Sequence, residues 1–174
     1  MSQKSSVNPG TGQRTAALER AYLEHKGRLL TLAAAIIGGR AAAEDIVHDV
    51  FANLAAGDHD PAGNGIAAFL TVCARNAAIS VLRMRKVATD HAGQIAIRKD
   101  AAGADPSLAA ERAEEAEKAI GLMAELPAEE RESLALRIWG EMPFEEVAKL
   151  QGVSKATAYG RCRAALAKLR SRMT

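Results

Sequence analysis

Only two cysteines, Cys73 and Cys162, occur in 174 residues, which excludes a disulfide scaffold and a four-ligand zinc site. Aromatic side chains are as sparse: Tyr22, Phe51, Phe69, Trp139, Phe144 and Tyr159 make up 3% of the chain. A β-sandwich or barrel core, which draws on aromatic and β-branched residues, is therefore not expected. No apolar run approaches the roughly 20 residues of a membrane span, and the N-terminus lacks the apolar core of a signal peptide. With so few cysteines the expected location is the reducing cytoplasm. His25, His59 and His91 stand at no ligand-like spacing. The length allows one ordinary domain or two small ones and excludes a large multi-domain enzyme.

What the chain does have is alanine, at 38 positions or about 22%, a helix-forming and small-residue composition. Hydrophobic residues at 48% and charged residues at 25% indicate a globular chain. The formal net charge of +2 conceals a sharp division. Residues 1–86 carry +3, 87–107 carry −1, 108–153 carry −6, and 154–174 carry +6 with no carboxylate at all. The basic end is a candidate for an anionic partner.

Residues 1–14, rich in Ser, Gly, Gln and Asn, read as a disordered tail. Thr15 is a plausible N-cap for a helix whose apolar positions run through Leu18, Tyr22, Leu29, Leu30, Ala33 and Ile37 to Gly38-Gly39. A second helix is expected over about 41–56, then a turn-forming stretch over 57–65, then a third helix over about 66–87. Residues 88–107 lose the periodicity and read as a linker. Helices resume at about 108–125, 128–139, 144–150 and 154–172. The expected fold class is all-α: two small helical domains, 15–87 and 108–174, joined by a flexible linker, the second a helix-turn-helix.

The last two helices carry the most specific pattern. A short helix with Phe144, Val147 and Ala148 on its apolar face closes at Gly152, and Ser154 caps a basic helix after it. On the helical wheel Ala158, Cys162, Ala165, Leu166 and Leu169 face inward. Ala156, Gly160, Ala164 and Ala167 face outward between Thr157, Arg161 and Lys168 on one side and Arg163 on the other. A row of small residues edged by cations suits close docking in a DNA major groove, although a plain solvated face has the same composition. The second helix divides cleanly between Ile46, Val47, Val50, Phe51 and Leu54 and the polar Glu44, Asp45, His48, Asp49 and Asn53. That polar half could be solvated, bind a protein or hold metal, but one imperfect Asp-x-x-His is far from the paired Glu-x-x-His of a di-metal bundle. The third helix is expected to bury Ile66, Phe69, Leu70, Cys73, Ala77, Val81 and Met84 and to present Arg75, Asn76, Arg83 and Lys86.

Taken in order, these segments resemble bacterial sigma factors of the small, two-domain extracytoplasmic-function type. Ala43-Glu-Asp-Ile-Val-His-Asp-Val-Phe51 is similar to the family segment that docks on RNA polymerase. Phe69-Leu-Thr-Val-Cys-Ala-Arg-Asn-Ala-Ala78 with Leu82-Arg-Met-Arg-Lys86 resembles its promoter-opening helix, and Leu126 to Leu134 with Phe144 to Arg170 resembles its C-terminal helix-turn-helix. The resemblance implies a promoter-recognition subunit without catalytic activity, metal or cofactor. Its implied partners are core polymerase, promoter DNA and an anti-sigma factor. Glu44, Asp45, His48, Asp49 and Asn53 would meet polymerase. Asn64, Arg75, Asn76, Arg83 and Lys86 would read the minus-ten element, and Ser154, Lys155, Thr157, Tyr159, Arg161 and Arg163 the minus-thirty-five element. The chain departs from the family with Pro143 in place of a capping Ser or Thr, Tyr159 in place of a frequent Lys, and Phe69 in place of a common Trp. The alternatives are a stand-alone, dimeric helix-turn-helix repressor and, behind it, a helical metalloenzyme using Glu44, Asp45, His48 and Asp49.

Overall fold

The computed structural model describes residues 9–92 and 108–173. Those residues form seven helices: α1 (Pro9–Ile37), α2 (Arg40–Ala56), α3 (Ile66–Ala92), α4 (Leu108–Ala124), α5 (Ala128–Ile138), α6 (Phe144–Gln151) and α7 (Lys155–Met173). The all-α expectation holds, with no strand among the described residues.

Helix α1 is the spine. Ala21, His25 and Leu29 line one stripe of its first half, as an amphipathic helix requires. From Leu32 to Ile37 every side chain is buried, so that half is enclosed on all sides. It is enclosed by α2, α3, α4 and α5 together. Three consecutive alanines, Ala33, Ala34 and Ala35, keep the cylinder thin enough for that crowding. The helix starts earlier than expected: Pro9, suited to a first helical position, opens it, and Thr15 lies inside rather than capping it. Residues 9–14 of the expected tail are thus helical; residues 1–8 and most of the expected linker lie outside the described residues.

Helix α3 differs from expectation in two ways. It runs to Ala92, five residues past the expected end, and its deepest side chains are Leu70, Thr71, Ala74 and Ala78. Phe69, Cys73, Ala77 and Val81 are half-buried, and Met84 is 65% exposed. A wheel weighted by side-chain size misplaces the face because alanines, not the large residues, permit the closest approach to another helix. By length and composition Ile66–Asp90 could cross a membrane, contrary to the absence of such a run read from the sequence. Arg75 and Asn76 at its middle and its packing on α1 make it a helix of a globular domain.

The two halves of the chain meet on α1. Arg28 donates to Trp139 O at 3.2 Å and to Ala67 O at 3.4 Å, bridging the end of α5 to α3. Arg40 lies 3.3 Å from Glu117. Arg131, buried, donates to Ala124 O at 3.1 Å, a cation at the C-terminus of α4, and burial pulls its pKa down. Between α1 and α2, Gly38 takes the left-handed conformation (φ 76°) and returns its amide to Ala34 O at 2.8 Å. A Cβ there would stand 3.3 Å from Ala124 Cβ.

Gly38→Ala therefore meets both a left-handed backbone and a tight neighbour. It should lower unfolding free energy by about 1–2 kcal/mol, read as a shift in the urea midpoint; an unmoved midpoint would contradict the geometry.

Candidate polymerase and nucleic-acid interfaces

The helix-turn-helix is built as its sequence pattern implies. Helix α6 ends in Gly152 (φ 65°, ψ 35°), and the Val153 amide returns to Ala148 O at 3.0 Å. Ser154 Oγ then accepts from the Thr157 amide at 3.1 Å, an N-cap for α7. Pro143 leaves the start of α6 without a side-chain cap; its carbonyl accepts from the Glu146 and Val147 amides at 3.0 and 3.1 Å instead. Ala158, Cys162 and Ala165 face inward, whereas Leu166, expected with them, is exposed at the edge. Burial pushes the Cys162 and Cys73 thiols up, away from thiolate reactivity.

One residue that the helical wheel does not single out joins these helices. Gln151 Oε1 accepts from Ser133 Oγ at 2.7 Å and from Arg161 Nη1 at 3.2 Å, and its Nε2 donates to Glu129 O at 3.1 Å. It thereby ties α5, α6 and α7 through one amide. Its position beside the closing glycine is the only sequence signal it offers. Tyr159 is half-exposed, edge-on to Phe144 with centroids 5.3 Å apart, and Arg163 lies 6.0 Å from its ring. Of the six residues expected to read the minus-thirty-five element, Lys155, Thr157, Tyr159 and Arg163 are exposed. Ser154, also exposed, is spent on the cap, and Arg161 is half-buried on Gln151.

The acidic block is largely matched by cations. Lys168 pairs with Glu130 at 2.7 Å, Arg172 with Glu125 at 2.8 Å, and Lys155 with Glu145, whose carboxyl is held below the usual range by that hydrogen bond. These are mostly exposed pairs, in which solvent and salt screen the attraction and each adds little to stability.

On α2, Glu44, Asp45, His48, Asp49 and Asn53 all face outward opposite the buried Ile46, Val47, Val50, Phe51 and Leu54, as the pattern requires. Among the described residues no three metal-ligating side chains gather at one place. The segment 57–65 brings Asp58, His59, Asp60, Gly63, Asn64 and Gly65, with Ile66 at the start of α3, around a cavity of about 360 Å³. Asn76, Arg83 and Lys86 are exposed on α3. Arg75 is not: its Nε and Nη2 lie 2.6 and 2.5 Å from Glu132 Oε1 on α5, with side chains 15% and 9% exposed, and its Nη1 donates to Asn76 Oδ1 at 3.0 Å. The expected minus-ten set is thus split, because a carboxylate of the acidic block holds its central cation.

Comparison with known proteins then decides the family. Residues 21–87 match the family model of sigma-70 region 2, and residues 116–169 match that of sigma-70 region 4, together well over half the chain. The chain belongs to the sigma-70 family. Its two matched regions are those of an extracytoplasmic-function sigma factor, which directs core RNA polymerase to promoters for transcription initiation. A solved structure with the same fold is the sigma factor RpoE from Bartonella quintana, crystallised in complex with the anti-sigma factor NepR. It is 20% identical, covers 88% of this chain and 94% of its own, and superposes with a TM-score of 0.65. No curated protein matches the sequence. The region 2 match takes in α2, the 57–65 segment and most of α3, more than a third of the chain, for which a stand-alone repressor has no use.

In this sigma factor the Arg75–Glu132 pair joins region 2 to region 4. Removing one partner of a nearly buried pair costs about 3 kcal/mol. Glu132→Gln should therefore loosen the hold of region 4 on region 2 and raise the radius of gyration of free protein in solution scattering. An unchanged radius would show that the pair does not hold the two halves together.

Proposed function

We propose that this sigma factor meets core polymerase through Glu44, Asp45, His48, Asp49 and Asn53. Promoter DNA is met through two readers: Asn64, Arg75, Asn76, Arg83 and Lys86 at the minus-ten element, and Lys155, Thr157, Tyr159, Arg161 and Arg163, with Ser154 holding the turn, at the minus-thirty-five element. The reading rests above all on one observation, that the polar half of α2 points outward as a unit beside a helix-turn-helix in the same chain. The carboxylates suit a basic protein surface, and the cations of α3 and α7 suit phosphate. The chain supplies recognition and polymerase supplies chemistry, so no catalytic group is assigned to it. A cytoplasmic location follows from that partner. The division into domains 15–87 and 108–174 belongs to the same proposal.

Each reader alone discriminates weakly, since a base pair contributes about 1–3 kcal/mol against a genome of competing sites. Holding both on one polymerase supplies the missing specificity. The 15 residues between Ala92 and Leu108 can span at most about 50 Å, enough to link sites one helical turn, about 35 Å, apart. DNA would have to exchange a phosphate or a base edge for Glu132 at Arg75. A partner that kept Arg75 on Glu132 would silence the factor. We assign that role to an anti-sigma protein, by analogy with the RpoE complex.

Run-off transcription with core polymerase on genomic fragments tests the reading directly, and specific initiation is the expected result. Charge reversal at Asp45 and Asp49 together should weaken core binding by a factor of about ten or more. A double variant that bound core polymerase as tightly as the parent would remove α2 from the interface.

A further inference from the structure

The segment that carries Asn64 is fastened at both flanks by side chains that belong to neither DNA reader. On the α1 flank, Arg14 Nη2 donates to Leu54 O at 3.0 Å and to Gly57 O, and its Nη1 donates to His59 O at 3.1 Å. Those carbonyls lie where α2 ends. Gly57 is extended there (φ −90°, ψ 177°), so no left-handed turn folds amides back onto them. A guanidinium, with five donors in a fixed fork, can satisfy several carbonyls at once and complements the negative end of the helix.

On the α3 flank the His59 ring lies flat on Phe69, with centroids 3.7 Å apart and planes 13° from parallel. Between the flanks the chain turns tightly. Asp60 Oδ1 accepts from the Ala62 amide at 2.9 Å, Asp60 O from the Gly63 amide at 3.1 Å, and Gly63 O from the Ile66 amide at 3.2 Å. Pro61 is buried beneath. A Cβ at Gly63 would stand 3.2 Å from Asp60 O, so the turn leaves little room for a side chain there.

We propose that Arg14 and the His59–Phe69 stack are positioning residues: they clamp residues 57–65 in one shape and thereby set where Asn64 meets DNA. The effect on DNA rests on the minus-ten reading of Asn64 given above; the clamp itself does not. An unclamped loop presents its side chains in many arrangements, and DNA must then select one, which weakens binding and blurs the base preference. Arg14 lies 50 residues from Asn64 in sequence, and only the packing of α1 along α2 brings its reach to bear.

The full-length protein is the material for the test. Hydrogen exchange at the Ala62, Gly63 and Ile66 amides reads the loop. Initiation by core polymerase from a promoter library randomised at minus ten, with minus thirty-five fixed, reads the preference. Arg14→Ala and His59→Ala should each speed exchange at those amides about tenfold and flatten the minus-ten preference. Exchange of the α2 core amides and affinity for core polymerase should stay as in the parent. His59→Phe, which keeps a flat ring, should restore both readings. Unchanged exchange in the alanine variants, or His59→Phe behaving like His59→Ala, would overturn the clamp. Asn64→Ala separates the two layers. If it leaves the minus-ten preference intact while Arg14→Ala still loosens the loop, the promoter reading of Asn64 fails and the clamp stands.

Discussion

The enclosure of one thin stretch of helix holds the rest of the molecule in place. From Leu32 to Ile37, α1 is buried on all sides, and its three alanines let four other helices lie close around it. Larger residues there would push either α3 or the α4–α5 pair outward, because a close-packed interior transmits added volume as displacement. Both the α2 surface and the α3 surface take their orientation from this spine, and so does the approach of region 4 to region 2. The apolar economy of the composition, many alanines and few aromatics, thus has a structural reason.

Charge arranges what packing brings together. The excess of carboxylate between the linker and α7 is neutralised in several directions: toward α7 through Glu125, Glu130 and Glu145, and toward region 2 through Glu117 and Glu132. Of these pairs, that with Arg75 is the one largely withdrawn from water, and it is correspondingly the one in which geometry counts most. The exposed pairs exchange easily with solvent ions and leave the cations of α7 available to DNA.

Much of this is legible in the amino-acid sequence alone. The α2 division appears residue for residue, because a helix with one apolar half has a single way to lie on a core. The Gly152 turn and the Ser154 cap are also where their chemistry requires them. Three features are not legible. The buried face of α3 is set by alanines, which carry little weight on a hydrophobic wheel. The start of α1 reads as a tail because its polar residues hide a helical stretch opened by Pro9. The engagement of Arg75 by Glu132 links residues 57 apart, and nothing in local periodicity encodes a long-range pairing. Gln151 and Arg14 belong to the same class: their roles exist only once three elements have converged on them.

Arg75 serves two anionic partners in turn, a carboxylate of its own chain and, in the proposed function, the promoter. That shared use has an evolutionary consequence. A substitution at Arg75 that sharpened its grip on DNA would also change how firmly region 4 rests on region 2. Drift at Glu132 would in turn be felt at promoters it never touches. The two positions are therefore expected to change together among descendants of this protein, and promoter preference and resting state would be inherited as one trait.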